Sequence, residues 1–270
     1  MFVSPMLLHK SDEPFESNVY FTELKFDGIR LLLSKFDNKV RLYTRHNNDV
    51  TSLFKELHDI NIPNGTVLDG ELIVPGVKGK PEFELMMERF SSNKSNHFIQ
   101  YVVFDIIKYN SQDLTFTPLY ERKQILDEVI SDSKHVVKSQ YIEGNGVAYF
   151  DLIKQQGLEG IVLKNKNSKY QTNKRSHDWL KVINYQYKDV YITGLKKAEF
   201  GAVLSFEDGR YLGIMEFMPL ESRKRLHSMK KIIGETEKYI NIEPVKCNVK
   251  YRNLTSKGLL RIPSFHTWIS

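Results

Sequence analysis

The sequence predicts an α+β protein in two units, 1–184 and 185–270, on three observations. Up to residue 184, stretches of strand period alternate with stretches of helix period. From residue 185 onward the pattern changes to closely spaced, short strand candidates. The charge divides at the same place: residues 1–184 carry 24 Lys and Arg against 24 Asp and Glu, and residues 185–270 carry 15 against 9, so the whole formal charge of +6 lies in the second unit. A basic unit of that kind suits a polyanion, through phosphate contacts that weaken as salt rises.

Composition excludes several classes. With 270 residues, 41% of them hydrophobic and including 16 Phe and 14 Tyr, the chain has the material for real cores and is not a disordered adaptor. No apolar run reaches the length of a membrane span, and residues 1–10 lack the basic start and long apolar core of a signal peptide, so no membrane partner and a cytoplasmic location are expected. Cys247 stands alone, which leaves no intramolecular disulfide and no cysteine cluster for zinc; it reads as a small buried hydrophobe.

In chain order, residues 22–30 read TELKFDGIR. Alternation through Phe21, Glu23 and Lys25 places the lysine at the end of a short strand. Gly28 frees the backbone to turn beside a ligand, and Arg30 offers a fork of donors suited to phosphate or ribose. Strands at 29–34 and 39–43, joined at Asp37 and Asn38, form a hairpin that returns Arg45 toward the lysine. Asn47 and Asn48 follow, residues that tolerate positive φ. Leu53, Phe54, Leu57 and Ile60 have helical spacing, which predicts a helix over 51–60 capped by Thr51 or Ser52. Residues 66–74, TVLDGELIV, read as a buried strand in which Asp69 and Glu71 require partners. A helix is predicted from Pro81 to about residue 90, then a polar break at 91–97 and a strand at 98–107. Helices over 119–130 and 146–156, the second stopped by Gly157, are interleaved with strands at 136–141, 159–164 and 179–182.

Beyond residue 185, strands are predicted at 190–195, 201–206, 211–217 and 247–251, with a tight turn at Glu207, Asp208 and Gly209 and a helical insertion over 221–233. These lengths suit a small barrel of the oligonucleotide-binding type. Residues 186–189 are the expected hinge, and Arg223, Lys224 and Arg225 are candidates for tracking phosphate.

Lys25, Phe26, Asp27, Gly28, Ile29 and Arg30 match the pattern K-x-D-G-x-R. Five further matches follow in order: Thr44 and Arg45; Leu68, Asp69, Gly70, Glu71 and Leu72; Phe104 and Asp105; Glu159, Gly160, Ile161, Val162, Leu163 and Lys164; Trp179, Leu180, Lys181 and Val182. By these motifs nearly the whole chain resembles the covalent nucleotidyltransferases, the superfamily of ATP-dependent DNA ligases, RNA ligases and mRNA capping enzymes. It looks most like the small bacterial and phage ATP-dependent DNA ligases.

The resemblance implies a nucleotidyltransferase (ATP-grasp-like DNA ligase) domain with antiparallel sheets and helices over 1–184, the adenylyltransferase unit, followed by an OB-fold β-barrel over 185–270. It implies that Lys25 is the catalytic nucleophile, taking AMP from ATP, and that AMP then passes to the 5′-phosphate of a nick in duplex DNA before the 3′-hydroxyl attacks. A lysine attacks only when neutral, and at a reference pKa near 10.4 about one in a thousand is ready at neutral pH. Like charges from Lys164, Lys181 and a divalent cation are the expected source of the neutral form.

By the same resemblance Glu23, Arg30, Glu71, Phe104, Lys164 and Lys181 bind the nucleotide, with Phe104 stacking on adenine and Glu71 on the ribose hydroxyls. Glu71 and Glu159 hold Mg2+ or Mn2+. Arg45, Arg223, Lys224, Arg225 and Arg261 contact DNA, and the protein acts as a monomer whose second unit moves to enclose the duplex. An RNA ligase, a GTP-using capping enzyme and, outside enzymes, a nucleic-acid-binding scaffold with a decayed nucleotide pocket are the alternatives. Phe104 with Asp105, and Arg261, Pro263 and Phe265, favour DNA. Relatives carry a second lysine where Ile183 stands and an R-x-D-K motif beyond the position of Phe265. Residues 266–270 do not supply that motif, so lysine adenylylation is expected to be weaker than sealing.

Overall fold

The computed structural model describes residues 1–92 and 94–269; Asn93, inside the polar break expected at 91–97, and Ser270, the last residue of the expected second unit, lie outside the described residues. The chain divides into two compact units, Met1–Asn184 and Tyr185–Ser270.

The first unit opens with β1 (Leu7–Lys10), β2 (Tyr20–Leu24), β3 (Ile29–Phe36), β4 (Lys39–Thr44) and β5 (Thr66–Ile73). The β3–β4 hairpin turns on Asp37 (φ 50°) and Asn38 (φ 59°), the pair of left-handed residues that a two-residue hairpin needs to match the twist of its strands. After α1 (Phe83–Ser91) come β6 (Gln100–Tyr109), β7 (Gln112–Asp113), α2 (Leu119–Val129), β8 (Val136–Lys138), β9 (Tyr141–Glu143), α3 (Gly146–Gln155), β10 (Gly160–Asn165) and β11 (Arg175–Ile183). One sheet has the order β4-β3-β5-β6-β7 with β8 beside β6; the other has the order β1-β11-β10-β2-β9.

Alternation along β5 gives the first sheet two buried faces. Leu68 and Leu72 enter a core with Leu31, Leu33, Leu42, Phe54, Leu57, Met86 and Tyr101. Val67 points the other way, into a second core that joins Leu32 and Ile107 of this sheet to Phe21 and Trp179 of the other. Asp69 and Glu71 share the face of Val67 and are therefore carried between the two sheets. Gly70 lies between them because a Cβ there would stand 2.5 Å from the ring of Tyr101.

Several expectations change in this unit. The sheets are mixed, since β1 pairs with β11 and β6 with β8 in parallel; the path from β6 to β8 runs through α2, the kind of crossover a parallel pair requires. The helix expected over 51–60 is two 3-10 turns, Thr51–Leu53 and Lys55–Leu57, separated at Phe54 (φ −126°, ψ 65°). Phe54 and Leu57 are drawn into the core, and the Thr51 hydroxyl accepts from the Leu42 N–H at 2.9 Å instead of capping. The strand expected over 136–141 is split between β8 and β9, which belong to different sheets.

The second unit contains β12 (Gln186–Lys196), β13 (Ala202–Ser205), β14 (Tyr211–Met215), α4 (Leu220–Met229), β15 (Ile232–Glu235), β16 (Tyr239–Tyr251) and β17 (Ser264–Trp268). Its sheet has the order β14-β13-β12-β16-β15, with β17 also on β16. No sheet closes into a barrel, which overturns the OB-fold β-barrel expectation. Phe217 and Ser264 form an isolated bridge, and no ladder grows from it because Pro219 opens α4 two residues later. Residues 186–189, the expected hinge, are the start of β12 and pair with residues 248–251 of β16. The expected insertion over 221–233 is α4 followed by the first residues of β15. Cys247 is buried in this core beside Val190 and Val249, as expected. Among the described residues no helix is long and apolar enough to cross a membrane.

Candidate active site

Lys25 is the first residue beyond β2. Its backbone N–H donates to the Gly160 carbonyl at 2.9 Å, and its ammonium donates to Glu159 Oε2 at 2.8 Å. Gly160 makes this meeting possible. Its φ is 147°, and a Cβ would lie 2.1 Å from the carbonyl oxygen of Val182, so only glycine fits the turn. Ile161 and Leu163 then pack beneath α3 with Phe150 and Ile153, while Glu159, outside the strand alternation, reaches the lysine.

Arg30 stands directly opposite Glu71 in the β3·β5 ladder. Its guanidinium is fixed by Asp69, with Nε to Oδ1 at 2.9 Å and Nη2 to Oδ2 at 2.6 Å. Burial raises the Glu71 carboxyl to about 7, with the charges of Glu159 and Asp69 adding to the shift and those of Lys25 and Arg30 opposing it. Lys25, Arg30, Asp69, Glu71 and Glu159 thus act on one another within one neighbourhood.

A second cluster adjoins the first. Glu23 is buried on β2, with Lys164 Nζ at 2.9 Å from Oε2 and Lys123 Nζ at 2.8 Å from Oε1. The structure therefore brings Lys25 to Glu159 and gives Lys164 to Glu23. Phe104, half-buried on β6, is in contact with two cations: Lys164 Nζ is 4.3 Å and Arg30 Cζ 5.4 Å from its ring centroid. Lys181 is half-buried on β11, opposite Val162, which is itself opposite Glu23; directly opposed residues share a sheet face, so Lys181 and Glu23 lie on one side.

The DNA-contact candidates lie apart from these clusters in the chain. Arg45 is exposed just past β4, where Asn47 (φ 66°) turns the chain. Arg223 is half-buried, donating from Nε to the Met218 carbonyl at 2.8 Å with its guanidinium 4.0 Å from the Phe200 centroid. Lys224 is exposed and paired with Glu221 at 2.8 Å, and Arg225 is exposed 5.5 Å from the Trp268 ring. Arg261 is half-buried in the segment between β16 and β17, its N–H bonded to the Asn253 carbonyl at 3.0 Å.

Sequence reasoning passed over three supports of the site. Tyr170 donates to Asp69 Oδ2 at 2.6 Å. Arg122 holds both oxygens of Asp105 at 2.8 Å. Lys123 holds Glu23. The signal for the last two was present: Leu119, Arg122, Lys123 and Leu126 occupy one i, i+3, i+4, i+7 stripe, which places both cations on the buried side of α2.

An amine held by a carboxylate, with buried cations nearby for phosphate charge, is the equipment of a covalent nucleotidyltransferase. Residues 5–182 match the ATP dependent DNA ligase domain. The chain is 56% identical over 268 residues to the SPbeta prophage-derived DNA ligase-like protein LigB of Bacillus subtilis, covering 99% of each. Its fold is similar to a structure from the Lig E DNA ligases (TM-score 0.70, 16% identity, 98% of this chain and 99% of that one). It is also similar to mycobacterial DNA ligase D complexed with ATP and MES (TM-score 0.62, 21% identity, 99% and 95%). The chain belongs to the ATP-dependent DNA ligase family. It is a DNA ligase that works through adenylation.

Proposed function

We propose that Lys25 is the nucleophile of this ligase, and the observation that carries the reading is its ion pair with Glu159 at the end of β2. Glu159 is placed to orient the Lys25 nitrogen, and the ammonium gives its proton to water, helped by the like charges of Lys164, Lys181 and a divalent cation. The neutral nitrogen then attacks the α-phosphorus of ATP; a P–N bond forms, the P–O bond to pyrophosphate breaks, and pyrophosphate leaves. AMP moves from Lys25 to the 5′-phosphate at a nick in duplex DNA. The 3′-hydroxyl attacks that phosphate, and AMP departs as the strand is sealed. Arg30, Lys164 and Lys181 supply cations for the nucleotide phosphates, Phe104 a face for the base, Glu71 an acceptor for the ribose hydroxyls, and Glu23 the anchor of Lys164.

The donor set fits a magnesium ion. Mg2+ takes one or two carboxylates together with phosphate oxygens and water, and Glu71 and Glu159 lie close enough for the charge of one to act on the other. Among the described residues no group of three or more His, Cys, Asp or Glu converges, so Glu71 and Glu159 would hold the ion with phosphate and water completing its shell. Bound there, it would offset phosphate charge.

Nicked duplex DNA is the substrate that the basic second unit suits, with Arg45, Lys224, Arg225 and Arg261 contacting phosphates and a monomer acting in the cytoplasm. The decisive experiment uses α-labelled ATP. The native chain should take up label and release it to nicked duplex DNA, and Lys25→Ala should take up none; a labelled Lys25→Ala chain would remove the assignment. Nicked RNA and GTP, supplied in parallel, should be poor substitutes.

A further inference from the structure

We propose that Lys123, which lies in none of the six motifs, is a positioning residue for the nucleotide chemistry: from α2 it holds the Glu23 carboxylate and so sets where Lys164 stands. The inference rests on the reading of Lys164 as a nucleotide-binding residue. Lys123, Glu23 and Lys164 are each no more than 3% exposed at the side chain, with Nζ–Oε separations of 2.8 and 2.9 Å. One carboxylate thus carries two buried cations, and the cluster keeps an excess positive charge that water does not dilute.

Packing alone does not account for this choice. An apolar residue between Leu119 and Leu126 would fill the same place without desolvating an ammonium, whereas the lysine directs its charge to the carboxylate and to the face of Tyr141, 4.9 Å away. Glu23 is steadied further by the Ser139 hydroxyl, which donates to Oε2 at 3.3 Å. Lys164, on that same oxygen, lies 4.3 Å from the Phe104 centroid and 4.5 Å from that of Trp179. A line of contact therefore runs from α2 through β2 to the residues assigned to phosphate and base.

The titratable groups around the cluster are Glu23 on β2, Asp105 on β6, Lys123 on α2, Tyr141 on β9 and Tyr149 on α3, with Lys181 of β11 on the same side of the sheet as Glu23. Lys164 is lowered to about 8, chiefly by burial, with Lys123 adding to the shift and Glu23 and Asp105 opposing it. Without the charge of Lys123, Glu23 would belong to Lys164 alone. That pair would be neutral, its ammonium drawn onto the carboxylate and away from phosphate, and its proton would be held to higher pH.

The test is single-turnover formation of lysyl-AMP in the full chain, followed against ATP concentration and pH. Lys123→Met should raise the ATP needed for half-maximal rate by about tenfold and move the alkaline limb of the pH profile up by about 1 on the pH scale, the effect of removing one like charge at this range; Lys123→Arg should return both toward the native values. Where Lys123→Met does not fold, as read by circular dichroism, Glu23→Gln provides the second variant. It leaves the two lysines facing each other and should move the limb down. Lys164→Met is run beside them. If it raises the ATP requirement while Lys123→Met, or Glu23→Gln in its place, alters neither the requirement nor the limb, the positioning role is overturned. If Lys164→Met itself changes nothing, the proposal falls together with the reading of Lys164 on which it rests.

Discussion

Asp69 holds Arg30 by both of its oxygens, at 2.9 and 2.6 Å, and the second oxygen also receives the Tyr170 hydroxyl at 2.6 Å. The carboxylate has no solvent exposure and the guanidinium little, so the contact fixes the Arg30 guanidinium, at the start of β3, to the middle of β5. Removing one partner of a buried pair leaves the other charge uncompensated, at a cost of about 3–5 kcal/mol. Asp69→Ala should lose stability of that order in urea unfolding. It should also slow formation of the lysyl adduct at any ATP concentration, since the Arg30 guanidinium is no longer fixed by a carboxylate.

Gly160→Ala should slow formation of the adduct by about 100-fold while the same change at Gly209 is tolerated. Both glycines have positive φ, 147° and 82°. A methyl group at Gly160 would meet the Val182 carbonyl oxygen at 2.1 Å, whereas at Gly209 nothing lies within 4 Å. The Lys25 N–H bond to Gly160 and the Glu159 contact depend on this one turn, and a displacement of about 1 Å there is worth about 100-fold in rate. Gly209→Ala should cost about 1–3 kcal/mol of backbone strain and leave labelling intact. Rates of label uptake for the two variants decide the matter.

Much of the first unit was legible because its strands alternate cleanly and its turns carry Asp37, Asn38, Asn47 and Gly157, residues that take positive φ. The resemblance implied that Lys25 and Glu159 belong to one site. Alternation could not, because it breaks at Gly160. Asp69 read as a buried acid in need of a partner, but Tyr170 was not legible as one, being 101 positions away in a polar stretch with no period. The helix expected over 51–60 failed because Phe54 and Leu57 answer to the core beneath β3 and β5 rather than to a helical stripe. The barrel failed because strand lengths fix pairing partners less firmly than the connections do. β16 is long enough to take β15 at one end and β17 at the other, which leaves β14 without a ladder to close against.

The basic run on α4 separates into unlike parts. Arg223 is committed to the protein, to the Met218 carbonyl and the Phe200 ring, so Arg223→Ala should destabilise the second unit by about 1–2 kcal/mol through lost packing and a lost hydrogen bond. Lys224 is exposed with only an exposed Glu221 beside it. Lys224→Ala should change stability by less than about 0.5 kcal/mol and lower the slope of nick affinity against salt by about one. Urea unfolding and fluorescence titration of nicked DNA at several salt concentrations separate the two effects; equal behaviour of the two variants would refute the division.

The buried Lys164 makes stability depend on pH in a definite direction. Its ordinary value of 10.5 falls to about 8 in the folded chain, chiefly because burial penalises the ammonium. Below about pH 8 both states hold the proton and there is no slope. From about 8 to about 10.5 the unfolded state keeps a proton that the folded state has released, so stability rises with pH across that window. A tenfold difference in proton affinity between the two states is worth about 1.4 kcal/mol, and the rise between about pH 8 and 10 should be about 2 kcal/mol. Cys247, pushed up to about 12 by burial and by the charge of Asp189, acts in the opposite sense above pH 9, as do the buried tyrosines Tyr101 and Tyr170 at still higher pH. The lysine is therefore read as the difference between the native chain and Lys164→Met, in which the other groups cancel. Urea unfolding at intervals across the window should show the native chain gaining on the variant as pH rises. A constant difference, or a native chain that loses ground, would mean that Lys164 keeps its proton in the folded state and that the Glu23 carboxylate outweighs burial.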